Sequence, residues 1–188
     1  LYNPLMGDYP AINVEQTNYT HVIPEELIWT VFNDQTTHTE SFGEALNIEV
    51  QLTAWSFECA DSELINESVF TRYKIRNFNP EPLYDMRVGF WLDPDVGCYT
   101  DDYTGCNPDL NTAYFYNSDA VDGNLGLSCP GGVNTFGEEP PVQAFTVLNH
   151  PLHSFSFMLN AGLGSPMPVL TDPVTPEEYY NYLDAKWR

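Results

Sequence analysis

The chain has 188 residues, of which 43% are hydrophobic and 14% aromatic, enough to bury a core and to exclude a disordered polymer. Six Lys and Arg stand against 27 Asp and Glu, a formal net charge of -21. A field of that sign repels phosphate backbones and anionic lipid, which argues against nucleic acid and membrane surfaces as partners; no apolar run reaches the roughly 18 residues of a membrane span.

Residues 1–26 read as irregular, broken by Pro4, Gly7, Pro10 and Pro24. Leu27 to Asn33 is a compact β-branched and aromatic strand, and Asp34 to Ala45 is polar and turn-like. Asn47 to Phe57 alternates most clearly, with Ile48, Val50, Leu52 and Ala54 facing one way. A loop from Cys59 to Asn66 precedes the strand Ser68 to Asn77, where Arg72, Lys74 and Arg76 alternate with Tyr73 and Ile75. The three bases read as a solvated strand face pairing with acidic neighbours, or as a dock for an acidic partner. Asn79-Pro80-Glu81-Pro82 predicts a turn. Tyr84 to Leu92 then returns as a strand, with Met86, Val88, Phe90 and Leu92 on one face, so that Ser68–Asn77 and Tyr84–Leu92 form a hairpin.

From Phe90 the chain enters a loop crowded with carboxylates and re-emerges as the aromatic strand Thr112 to Asn117. Residues 119–140 are rich in Gly, Asn and Ser. Pro141 to Leu148 and Ser154 to Asn160 read as further strands. Thr175-Pro176-Glu177-Glu178 opens a helix running through Leu183 and Trp187, with Thr175 and Glu178 as a capping box and Pro176 at the first helical position. At least seven strands, no βαβ alternation and one late helix predict a mainly β chain: an antiparallel β-sandwich or jelly-roll-like fold with long loops and one short C-terminal helix. Residues 27–188 read as a single such domain, a fragment of a larger chain.

Asp93, Asp95, Asp101, Asp102 and Asp109 lie in the acidic loop, with Asp119 and Asp122 after the next strand. No Lys or Arg occurs between Arg87 and Lys186. Carboxylates at this density repel one another unless a cation sits among them. Calcium, which takes six to eight oxygens in flexible geometry, suits them better than zinc or magnesium. Asp93, Asp95, Asp101 and Asp102 are the first candidates, with Asp119 and Asp122 closing the site. Asp93-Pro94-Asp95-Val96-Gly97 begins like a calcium loop but lacks the later ligands of an EF-hand. A solvated acidic turn without metal is the plainer alternative.

The four cysteines, Cys59, Cys98, Cys106 and Cys129, form no Cys-x-x-Cys pair and no zinc pattern. They agree with an oxidising compartment; Cys98–Cys106 and Cys106–Cys129 both bracket plausible loops. His21, His38, His150 and His153 make no metalloprotease motif, and no nucleophile elbow or phosphate loop is present. A glycosidase would need two carboxylates at a set separation, but nothing in the sequence singles out a pair, so the reading is non-catalytic. Exposed aromatics could stack on sugars, and Trp91, Tyr99 and Tyr103 are the candidates for a carbohydrate-binding module.

The stretch WLDPDVGCYTDDYTGCNPDLNTAYFYNSDAVDG resembles one recurring in large secreted proteins of Bacteroidota that end in a type IX secretion sorting domain. NIEVQLTAWSFE, VFTRYKIRNFNPEPLYDMRVGFWLDPD and the terminal TPEEYYNYLDAKW extend the likeness over roughly residues 27 to 188. The resemblance implies an exported, cell-surface or released protein with adhesion-type modules in its parent chain. Its partners would be those modules or further copies of itself. It implies no catalytic residue.

Overall fold

The computed structural model describes residues 24–39, 41–123, 129, 135–158 and 172–186. Most of the irregular N-terminal segment lies outside them. The chain forms two compact units, one holding residues 43–85 with the segment up to Thr39, the other running from Met86 onward. Each contains one antiparallel three-stranded sheet. The mainly β, antiparallel class with long loops and one short C-terminal helix is as expected.

In the first unit, β1 (Glu26–Asn33), β2 (Ile48–Ser56) and β3 (Phe70–Asn77) lie in sequence order, with β2 central. Trp29 faces Thr53 and Val31 faces Gln51 across β1–β2; Thr53 faces Arg72 and Glu49 faces Arg76 across β2–β3. The alternation therefore sorts the sheet into two faces. One carries Ile28, Phe32, Val50, Leu52, Tyr73 and Ile75. The other mixes the three bases with Trp29, Trp55 and Phe70. Trp55 stacks on Phe70 at 5.9 Å, and Phe57 meets the same ring edge-on at 5.5 Å. Only Thr53 of this sheet is buried; Ile28 stays 67% exposed, so the regular apolar face is not sequestered.

The β1–β2 connection is tied by one carboxylate. Asp34 accepts from the backbone N–H of Leu46 and, at 3.0 Å, from that of Ile48, while Gln35 bridges Asp34 to Asn47. Asn47 takes a left-handed conformation (φ 56°), one that asparagine tolerates well. Partial burial pushes the Asp34 carboxyl up, but the Ile48 and Leu46 N–H bonds outweigh it and hold it below its ordinary value.

In the second unit, β4 (Asp102–Asn107), β5 (Thr112–Asn117) and β6 (Gln143–Thr146) lie in sequence order. A 3-10 turn at Pro108–Leu110 joins β4 to β5. Asn107 caps it, and Asn111 closes it in the left-handed region. Helix α2 (Pro176–Leu183) carries the expected capping box: Glu178 N–H donates to Thr175 Oγ1 and Thr175 N–H to Glu178 Oε2. It ends at Leu183, before the expected stop. A single turn, α1 (Glu63–Asn66), interrupts the loop after Cys59.

Two strand expectations fail. Residues 84–92 form no strand, so the Ser68–Asn77/Tyr84–Leu92 hairpin does not exist; β3 pairs with β2 instead. The chain crosses between units at residue 85, and its alternating residues serve the second unit without a ladder. Phe90 packs on Phe145 at 4.8 Å, Arg87 donates to Asp184 at 2.6 Å, and Leu183 fills the space above Gly89. Residues 154–158 also form no strand. Their Ser154 and Ser156 hydroxyls instead donate to the carbonyls of Leu183 and Tyr182, capping the end of α2. The described residues hold six strands rather than seven.

Asp34→Ala leaves the Leu46 and Ile48 amides without their acceptor and should destabilise the first unit by about 1–3 kcal/mol, read from urea unfolding. The folded Asp34 carboxyl is depressed, so its contribution is present at neutral pH and is lost as pH falls below about 4. The gap between wild type and Asp34→Ala should therefore narrow on acidification; a pH-independent gap would contradict the tie.

Candidate functional site

The second unit gathers part of the acidic loop into one buried knot. The chain enters it through Val96 and Cys98, which are 0% and 1% exposed. Cys98 is bonded to Cys129, and Cys59 and Cys106 are free thiols. Both sequence-favoured pairings are therefore corrected. After Thr100 the chain enters β4 at once, and four residues of extended backbone carry Cys106 roughly 13 Å along the strand. The loop expected across residues 102–107 is this strand.

Asp122 is the centre of the knot. It is only 2% exposed, and its two oxygens accept from the backbone N–H groups of Cys98, at 2.8 Å, and Phe136. Asp102 accepts from Val96 N–H at 2.8 Å, and Asp101 from Gly123 N–H at 3.1 Å. The knot is thus held by carboxylates gripping four backbone N–H groups, those of Val96, Cys98, Gly123 and Phe136. Gly97 (φ 84°) is required twice over: its conformation suits glycine, and a Cβ there would occupy the place of the Asp122 carboxylate.

Each of two carboxylates has one oxygen committed and one left over. Among the described residues, no hydrogen-bond partner meets the buried Asp101 Oδ1 and Asp102 Oδ1, nor Asn117 Oδ1 on a side chain only 6% exposed. Asp102 and Asn117 face each other across the end of the β4–β5 ladder, where Cβ atoms lie roughly 4.5–5.5 Å apart. Ser118 N–H, next in line, donates to the Asp101 carbonyl at 2.8 Å. Burial pushes the Asp102 carboxyl above its ordinary value, and the charges of Asp101, Asp122 and Asp95 push it the same way.

Of the six expected metal ligands, the structure brings Asp101, Asp102 and Asp122 into the knot and holds Asp95, itself exposed, close enough to repel Asp102. Asp119 is exposed and its carboxylate accepts from Val121 N–H, while its carbonyl accepts from the Asn117 amide at 3.0 Å. Asp93 lines a different cleft, with Trp91 and Phe145. Among the described residues no three His, Cys, Asp or Glu side chains are arranged as a metal-binding group. The Asn117 amide escaped sequence reading, because only the β4–β5 register sets it opposite Asp102.

Trp91, Tyr99 and Tyr103 are 58%, 52% and 58% exposed. The β4–β5 register puts Tyr103 and Tyr116 on one sheet face and Phe115 on the other. Tyr103 meets Tyr116 edge-on at 6.0 Å, and Tyr114 lies over Gly105, so these rings pack on one another. Trp91 instead lines the cleft that also holds Phe115. Among the described residues no helix is long and apolar enough to cross a membrane.

Comparison with protein-family models, curated proteins and solved structures finds no match to this chain.

Asp122→Ala strands the buried Cys98 N–H and the part-buried Phe136 N–H and should cost about 2–5 kcal/mol in urea unfolding, whereas Asp95→Ala, on the exposed rim, should stay within about 0.5 kcal/mol. Equal losses for the two would remove Asp122 from the centre of the knot.

Proposed function

We propose that this chain is a non-catalytic, calcium-binding β module of an exported or cell-surface bacterial protein, with a structural or adhesive role. The observation that carries the reading is a set of three buried oxygens that no described donor meets, Asp101 Oδ1, Asp102 Oδ1 and Asn117 Oδ1, in a carboxylate cluster with no Lys or Arg within the surrounding sequence. Buried oxygens without donors carry a desolvation cost that a hard cation removes, and calcium takes amide and backbone carbonyl oxygen along with carboxylate. Asp101, Asp102 and Asn117 would hold the ion, and Asp95 is near enough to contribute charge. Such an ion would neutralise the repulsion that pushes the Asp102 carboxyl up.

The Cys98–Cys129 bond supports an oxidising compartment, and the likeness of the Trp91–Gly123 stretch to type IX-secreted Bacteroidota proteins supports export. The non-catalytic reading draws on the use of the buried carboxylates: those of Asp101, Asp102 and Asp122 all grip backbone amides. Other modules of a parent chain, or further copies, are the partners this role calls for.

Thermal melts in calcium and in excess chelator test the reading. With free calcium at about 100 times Kd, the folded state gains roughly 2.7 kcal/mol. The Asp101→Asn/Asp102→Asn double variant should melt at or above wild type in chelator, because like-charge repulsion is relieved, and should lose the calcium-dependent gain. Identical wild-type melts in calcium and chelator would overturn the site.

A further inference from the structure

A second feature of the same unit is independent of the knot. Residues 91–94 and one edge of the second sheet enclose an open cleft of about 340 Å³, within the size range of small-ligand sites. Phe115 of β5 and Phe145 of β6 line it, both half-buried, and Phe90 backs Phe145 at 4.8 Å. The indole of Trp91 lines it too and is 58% exposed. Its polar lining groups are the exposed side chains of Asp93 and Gln143.

This set selects among ligand chemistries. Anions are repelled by Asp93 and by the net charge of -21. A purely apolar ligand would strip water from Asp93 and return nothing. An organic cation would satisfy Asp93 and the rings, but it brings no acceptor for the Gln143 amide N–H groups. A sugar ring answers every group. Its C–H face lies on the indole, adjacent hydroxyls donate to the Asp93 carboxylate, and a hydroxyl or ring oxygen accepts from Gln143. We propose that this cleft is a binding subsite for a neutral saccharide, with Trp91 as the platform and Asp93 and Gln143 as the hydrogen-bonding pair. It goes beyond the calcium reading: a flat calcium melt would leave it standing.

The test is titration of the 188-residue protein, in calcium-containing buffer, with cellohexaose, xylohexaose and mannohexaose, followed by tryptophan fluorescence and calorimetry. At least one probe is expected to bind. Trp91→Ala should weaken that binding about tenfold or more, and Asp93→Asn should weaken it as well. Both should leave the melting temperature near wild type, since both side chains are exposed, and Tyr103→Ala should bind as wild type. Absence of binding by all three probes at millimolar concentration would overturn the proposal, as would wild-type affinity in Trp91→Ala. Trp91-dependent binding of choline in place of any sugar would overturn it too, and would make the cleft a cation site.

Discussion

The second unit depends on a single buried charge. Asp122 is almost wholly out of water, and a carboxylate in that position is tolerable only because both oxygens receive backbone N–H donors. Those donors belong to segments far apart in sequence, so the same interaction that solvates the charge also fixes the path of the chain. The Cys98–Cys129 bond closes a loop of 31 residues beside it. On a chain-entropy view such a closure removes about 3–4 kcal/mol of freedom from the unfolded chain. Among the described residues the fully buried side chains here are Val96 and Cys98, so polar ties and a covalent bond stand where apolar packing would elsewhere.

The two units solve the problem of joining strands in the same chemical way at different depths. Asp34 in the first unit and Asp122 in the second each take two backbone N–H groups, one near the surface and one buried. An acidic chain makes economical use of its carboxylates in this manner, since amide donors stabilise the charged form without a basic residue. What distinguishes the knot is surplus. Asp34 shares its remaining capacity with Gln35, whereas Asp101 and Asp102 each keep an oxygen that no described donor meets.

Strand identity was legible where alternation coincided with a ladder, as in β2 and β3, and where β-branched and aromatic residues ran together, as in β1 and β5. The capping box of α2 was readable from Thr175 and Glu178 because capping is a local event. Residues 84–92 misled because an alternating apolar pattern does not say what the backbone pairs with; Phe90 and Leu92 alternate on a segment with no ladder at all, and both stay about 40% exposed. β4 was hidden by its own composition, since Asp102, Gly105 and Asn107 are poor strand formers held extended by register with β5. The density of carboxylates drew attention to this stretch of the chain, but not to which of its side chains the fold brings together. Only the fold separates Asp101, Asp102 and Asp122, which share a knot, from Asp93, which lines a cleft with Trp91, and only the fold adds Asn117.

The edge strand β3 bears on assembly. Among the described residues it pairs with β2 alone, and it carries Arg72, Lys74 and Arg76 at alternate positions on one face. Two copies meeting antiparallel through this edge would set like charges opposite one another, which disfavours a two-fold symmetric dimer built there. An acidic strand from a different surface would meet no such penalty, and 27 carboxylates make such surfaces plentiful. Any association through β3 would thus favour heterologous contacts, and contacts of that kind propagate into open chains unless a rotation closes them into a ring.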